Sequence, residues 1–197
     1  MKISMKKRKI GYVYSSVSGR FPFRGEKNIC FESKLEESFL TGMAFNDGVL
    51  DIEEQPFTLE YETSEGKTAT YTPDFLVHFR YLSPDYSKKV SFSKSLLVEV
   101  KPRKILQKRF CEFLPKFKAA ISYSRDNDMM FKIYDESRIY TPYYKNIVFL
   151  QRYSRSEYDP YIEKRIMQYL EIMGSATIDN ILAVQCNTEV ERGLMLG

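Results

Sequence analysis

The sequence predicts a mixed α/β domain followed by a small helical one. Three observations carry this. Residues 49–53, 57–61 and 75–81 alternate apolar and polar side chains as half-buried strands do. Leu96-Leu-Val-Glu-Val100 is a short apolar run of the kind buried at a sheet centre. Residues 31–42, 105–124 and 161–173 repeat their apolar positions at helical spacing. With 43% hydrophobic and 15% aromatic residues in 197, the chain has enough apolar material for a core, which excludes a disordered or fibrous polymer. No apolar run is long enough for a membrane span or a secretory signal, so the expectation is a cytoplasmic protein with no membrane partner. Cys30, Cys111 and Cys186 lie far apart beside a single histidine, a pattern of reduced thiols rather than of zinc ligands or disulfides.

Residues 1–29 carry eight Lys and Arg against one acid, Glu26, and read as a basic arm that folds only against something else. Residues 30–151 form the main domain. Its first helix should run from Phe31 to Gly42 or slightly beyond, with Glu32 and Glu36 on one face. Strands at 49–53, 57–61 and 69–71 are expected to make an antiparallel meander, the last two joined by a turn at Ser64-Glu-Gly66. Strands at 75–81 and 96–100 follow, and Pro102 ends the second. Pro115 should kink or split the next helix. Residues 131–134 and 147–150 read as strands. Residues 152–160 are polar and serve as a linker. Within 161–197, helices at 161–173, 177–184 and 188–196 are expected, the second capped by Ser175 or Thr177 and the third by Asn187 or Thr188. They open like a helix-turn-helix but show no strand pair for a wing, so either the native protein is longer or a partner completes this domain.

The chemistry-bearing pattern is Thr72-Pro-Asp74 at the head of one strand and Glu99-Val-Lys101 at the end of another. Carboxylates at adjacent strand ends suit a hard divalent ion, so Asp74 and Glu99 are candidate Mg²⁺ ligands and the Val100 carbonyl a third. Strand side chains alternate, so Glu99 and Lys101 share a face, where the ammonium can orient or help deprotonate water and offset phosphate charge. Glu36 on the preceding helix supplies a further carboxylate, with Glu32 as the substitute. Each motif alone recurs by chance in surface strands; the ordered set is more specific.

These residues resemble a known family. Phe31-Glu-Ser-Lys-Leu-Glu36, Glu54-Gln-Pro-Phe57, Tyr71-Thr-Pro-Asp-Phe-Leu-Val77 and Leu97-Val-Glu-Val-Lys-Pro102 are similar to the TnsA endonuclease subunits of heteromeric cut-and-paste transposases. That family lies within the PD-(D/E)xK superfamily. The resemblance implies a restriction-endonuclease-like mixed sheet flanked by helices, with a winged-helix-like C-terminal domain. It matches Glu36 to the helix acid, Asp74 to the metal-binding Asp and Lys101 to the catalytic Lys. Glu99 departs from the best-known member, which has Gln there, and returns to the superfamily pattern. The resemblance further implies Mg²⁺-dependent cleavage of the 5′ strands at transposon ends, with Mn²⁺ able to substitute. A TnsB-type transposase acting on the 3′ strands and a TnsC-type AAA+ regulator are the implied partners.

Beside this stand a stand-alone restriction or junction-resolving nuclease and a non-catalytic DNA-binding scaffold. The clustered carboxylates disfavour the scaffold, because without a metal they would repel DNA. Lys6, Lys7, Arg8 and Lys9 are candidate phosphate contacts, as are Arg103 and Lys104, which directly follow the Glu99-Val-Lys101 strand in a second basic stretch from Lys101 to Lys118. His78 sits on the strand of Asp74 and is expected to be a packed or supporting group. Residues 163–184 hold only Lys164 and Arg165 as positive charges, which favours protein docking over groove reading by the C-terminal domain.

Overall fold

The apolar run at the middle of the sequence is also the middle of the sheet. In this computed structural model, which describes residues 3–4, 17–80, 95–153 and 159–185, strand β8 (Ser95–Val100) is buried at its last five positions. It pairs antiparallel with β7 (Phe75–Phe79) and parallel with β9 (Met130–Tyr134), and β4 (Val49–Glu54) closes the other side in the order β4-β7-β8-β9. Period-2 alternation then divides the side chains. Phe75, Val77, Leu96, Val98 and Val100 face one core cluster, which includes Phe39, Leu40 and Ile52. Leu76 and Leu97 face another, with Phe57, Leu59, Tyr71 and Ala120.

The first cluster is covered by α1 (Lys34–Ala44), whose Phe39 stacks on Phe75 at 5.5 Å and meets Tyr134 edge-on at 4.9 Å. Phe31 was expected in this helix but ends strand β3 (Lys27–Phe31), because Ser33 caps the helix and starts it three residues later than the apolar pattern suggests. Strand β3 pairs with β2 (Gly19–Phe23) as a hairpin, and Phe23, Ile29 and Phe31 are buried in the core. The expected free arm over 1–29 is therefore corrected: its last third is part of the domain, because Phe23 and Ile29 within it, with Phe31 just beyond, bury apolar surface that outweighs the surrounding charge. Lys6, Lys7, Arg8 and Lys9 lie outside the described residues.

The expected meander is also corrected. Strand β4 pairs with β7, while β5 (Thr58–Glu62) and β6 (Thr68–Tyr71) form a hairpin in a separate sheet with β1 (Ile3–Ser4). The chain leaves the first sheet at Gln55, whose φ of 45° lies in the left-handed region that ordinary side chains disfavour. Helix α2 (Arg103–Asp126) packs on β5 and β9 and supplies Phe117 and Ala120 to the interior. Its backbone departs from helical geometry at Arg109 (φ −122°, ψ 21°), upstream of Pro115, on the side where the proline ring crowds the preceding turn.

Two short helices, α3 (Glu136–Ile139) and α4 (Pro142–Leu150), follow β9. Residues 147–150 are thus helical, not a strand: Thr141 caps α4, accepting from the Tyr144 N–H at 3.3 Å, and Pro142 fits its first turn. The chain forms two compact units, Met1–Gln151 and Arg152–Gly197. In the second, α5 (Pro160–Met173) is capped by Asp159, and α6 (Ile178–Gln185) begins after Thr177, whose Oγ1 accepts the Asn180 N–H at 3.2 Å. The third helix expected at 188–196, with its Asn187 or Thr188 cap, lies outside the described residues, as do 154–158 of the linker. No helix among the described residues is long and apolar enough to cross a membrane.

Candidate active site at the strand ends

Asp74 stands immediately before β7 and is built into the sheet by its own backbone. Its N–H donates to Val98 O at 3.0 Å and its carbonyl accepts from Gln55 N at 2.8 Å. Its carboxylate Oδ2 accepts the Val100 N–H at 2.7 Å. One of these hydrogen bonds ties the acid to the residue that follows β4, and the other two fix it against the end of β8. From that end come Glu99, 1% exposed, and Lys101, whose N–H donates to Tyr134 O at 3.0 Å. The Lys101 Nζ lies 3.4 Å from Glu99 Oε1 and 3.9 Å from Asp74 Oδ2. Asp74, Glu99, Lys101 and Glu36 line one cleft of about 480 Å³.

Glu36 reaches the cleft from the first turn of α1, where it also closes the helix. Ser33 Oγ accepts the Glu36 N–H at 3.2 Å, while the Glu36 carboxylate accepts Ser33 Oγ at 2.9 Å and the Glu32 N–H at 2.7 Å. This is a capping box, shifted so that the carboxylate receives the N–H before the cap residue. Glu32 lines the same cleft and accepts from Gln55 Nε2 at 3.2 Å. Gln55 Oε1 is buried without a hydrogen-bond partner, and with the residue's left-handed backbone it places two unfavourable features beside the acids.

Burial dominates the electrostatics. It raises the Asp74 carboxyl from 3.8 to about 8, helped by the charges of Glu99 and Glu36 and opposed by Lys101 and the Val100 N–H. Glu36 is likewise raised by burial, against the hydrogen bonds from Glu32 and Ser33. For Lys101 burial acts downward, but the carboxylates of Asp74, Glu99 and Glu36 outweigh it and hold the ammonium above its ordinary value. Acids outnumber cations in this cleft, and an acid that keeps its proton near neutrality beside two further acids is a place where an added cation would relieve repulsion.

Asp74 and Glu36 bring to the cleft two carboxylates, the donor type that suits a hard divalent ion, while Val100, whose carbonyl was the third expected donor, is not among the residues lining it. Among the described residues, no three His, Cys, Asp or Glu side chains are grouped so as to hold an ion by themselves. Both Glu99 oxygens accept hydrogen bonds: Tyr71 Oη donates to its Oε2 at 2.8 Å and Lys116 Nζ to its Oε1 at 2.8 Å.

The other expected site residues sit elsewhere. Arg103 turns to the corner after β9, with Nη1 3.2 Å from Ser137 Oγ and 3.6 Å from Asp135 Oδ2, and its N–H donates to Glu136 Oε2 at 2.7 Å. Lys104 is exposed, and neither residue lines the cleft. The cleft's cations are Lys101, Arg109 and Lys116. His78 bridges Ser95 Oγ and Glu53 Oε1, each at 2.9 Å, as a cross-strand support away from the cleft. Sequence reasoning missed Tyr71, Lys116 and the site role of Gln55. Only Lys116 carried a signal, the aromatic residues Phe113 and Phe117 that flank it, and nothing in one dimension paired it with Glu99.

Residues 46–136, just under half of the chain, match the family described as TnsA-like endonuclease N-terminal. The match contains Asp74, Glu99, Lys101 and Lys116. No curated protein matches the chain.

Proposed function

We propose, from the match of residues 46–136 to the TnsA-like endonuclease N-terminal family, that this chain is the Mg²⁺-dependent endonuclease subunit of a cut-and-paste transposase, hydrolysing the 5′ strands at transposon ends. The observation that carries the reading is the convergence of Asp74, Lys101 and Glu36 on one cleft from a strand start, a strand end and a helix N-terminus, within 3.9 Å for the Lys101–Asp74 pair. Asp74 and Glu36, with the Val100 carbonyl, would hold the ion, which supplies Lewis-acid polarisation of the scissile phosphate and neutralises its charge. Lys101 stays protonated beside its acids, so its part is that of a charged donor that orients the attacking water and meets developing negative charge, not that of a base. The hydrogen bond from Val100 N–H fixes Asp74 at 2.7 Å and keeps this geometry from depending on substrate. Arg109, at the break in α2, lines the cleft beside its partner Glu112, with its side chain 54% exposed, and is the cation proposed to meet a DNA backbone there.

The TnsB-type transposase and the TnsC-type regulator are the proposed partners, Mn²⁺ the substitute ion, and α5 and α6 a docking unit whose positive charges are only Lys164 and Arg165. Lys6 to Lys9 are proposed to add phosphate contacts. Strand-specific cleavage of labelled transposon-end DNA with Mg²⁺, with and without the transposase, tests the reading. Wild type is expected to nick the 5′ strand, and Asp74→Ala and Lys101→Ala to lose that nick. Equal cleavage by all three proteins removes the site assignment; cutting of junctions or plain duplex alone, with none at ends, makes this a stand-alone nuclease.

A further inference from the structure

Glu99 occupies the position at which a carboxylate would be expected to bind the ion, yet everything around it serves another purpose. Its Oε2 accepts Tyr71 Oη at 2.8 Å, and its Oε1 accepts Lys116 Nζ at 2.8 Å with Lys101 Nζ 3.4 Å away. Two carboxylate oxygens offer about four acceptor sites, and with three donors already against a side chain only 1% exposed, little of that capacity faces the cleft. Any cation entering would have to displace an ammonium already at contact distance.

Lys116 is placed too well for an incidental contact. Its side chain is 14% exposed, and its ammonium lies 4.7 Å from the ring centroids of both Tyr71 and Phe113 and 5.2 Å from that of Phe117. Three aromatic rings and one carboxylate thus hold the charge, a combination that stabilises a desolvated ammonium. Tyr71 belongs to both halves of the arrangement, as a wall for Lys116 and a donor to Glu99. The network ties α2 and β6 to the end of β8, directly beneath Lys101.

We propose that Lys116 is a positioning residue of this active site: with Tyr71 it holds Glu99 as an anchor for Lys101, so that Glu99 is not a ligand of the divalent ion. Asp74, Glu36 and the Val100 carbonyl are left to bind it. This rests on the divalent-ion reading of the site given above.

The test is Mn²⁺ binding to the full chain without DNA, followed by electron paramagnetic resonance of free Mn²⁺, with circular dichroism melts of each variant. Glu99→Gln is expected to keep Mn²⁺ affinity within about fivefold of wild type, and Asp74→Asn to weaken it by about fiftyfold or more. Lys116→Met, which keeps the packing volume and removes the charge, is expected to tighten Mn²⁺ binding by about threefold or more by unmasking the carboxylate. That gain should vanish in Glu99→Gln/Lys116→Met. A purely structural lysine would not tighten binding when lost. Weakening by Glu99→Gln comparable to that by Asp74→Asn overturns the proposal, as does an unchanged affinity in folded Lys116→Met. If Lys116→Met does not fold, Glu99→Gln decides alone. Absence of Mn²⁺ binding to wild type removes the divalent-ion reading and this proposal together, a result distinct from wild-type binding that Glu99→Gln abolishes.

Discussion

At Asp74, burial and the neighbouring Glu99 charge push the carboxyl up to about 8, while the unfolded chain titrates it near the ordinary 3.8. Between those values the ion-free native state holds a proton that the unfolded chain has lost. Stability from this group is therefore full below the unfolded value and is lost as pH rises toward and through 8. Asp74→Asn, which still accepts the Val100 N–H, should flatten that slope. In EDTA at pH 8 its melting temperature is expected about 3–6 °C above wild type, with a smaller gap at pH 5; an unchanged pH profile would show that Asp74 is not strained. Lys101 is expected to behave differently. Lys101→Ala should retain the fold yet lose about 10²–10⁴-fold in single-turnover cleavage, since it removes a charged donor from the reacting centre. Asp74 and Lys101 were legible in the sequence because Pro-Asp and Glu-Val-Lys state their own positions on strands. The occupation of Glu99 was not, since its partners Tyr71 and Lys116 come from a hairpin and a helix whose placement only the folded chain supplies.

The N-terminus of α1 shows how one element can serve two ends. Ser33-x-x-Glu36 is a capping pattern visible in the sequence, but reading Glu36 only as an active-site acid concealed its second task. Ser33→Ala should cost about 1 kcal/mol, or roughly 2–4 °C in thermal unfolding, and should also release the Glu36 carboxylate from one donor. A shift near zero would mean that the box contributes nothing. In the β2–β3 hairpin, a Cβ at Gly19 would lie 2.5 Å from the Phe31 ring carbon Cζ. Gly19→Ala is therefore expected to displace a core side chain and lower stability by about 1–3 kcal/mol, measured by urea unfolding. The strands themselves were readable from alternation, but their partners were not. Gln55 adopts φ 45° without being Gly or Asn, so no residue type announced that the chain turns out of β4's sheet before β5. Helix α4 was misread for a simpler reason: Ile147-Val-Phe-Leu150 has strand composition, and the Thr141-Pro142 start signal was outweighed by it.

For the molecule as a whole, the division at Gln151 predicts that residues 1–151 fold alone. That fragment should melt in one cooperative transition by circular dichroism and bind Mn²⁺ as the full chain does; a fragment without a transition would make the second unit part of the fold. The segregated charge of the sequence was read as basic stretches around acidic chemistry; in the fold Arg109 and Lys116 line the cleft, paired with Glu112 and Glu99, whereas Arg103 lies outside it, engaged with Asp135 and Ser137. Linear charge cannot tell a cleft cation from one spent on a nearby loop. The seating of β8 between β7 and β9, with Lys101 N–H bonded to Tyr134 O, has a consequence in time. A ribosome delivers Glu36, Asp74, Glu99 and Lys101 well before residues 130–134 emerge to complete the sheet beneath them. The residues proposed to cut are thus translated before the strand that supports Lys101, and the proposed site is complete only once that late strand is paired.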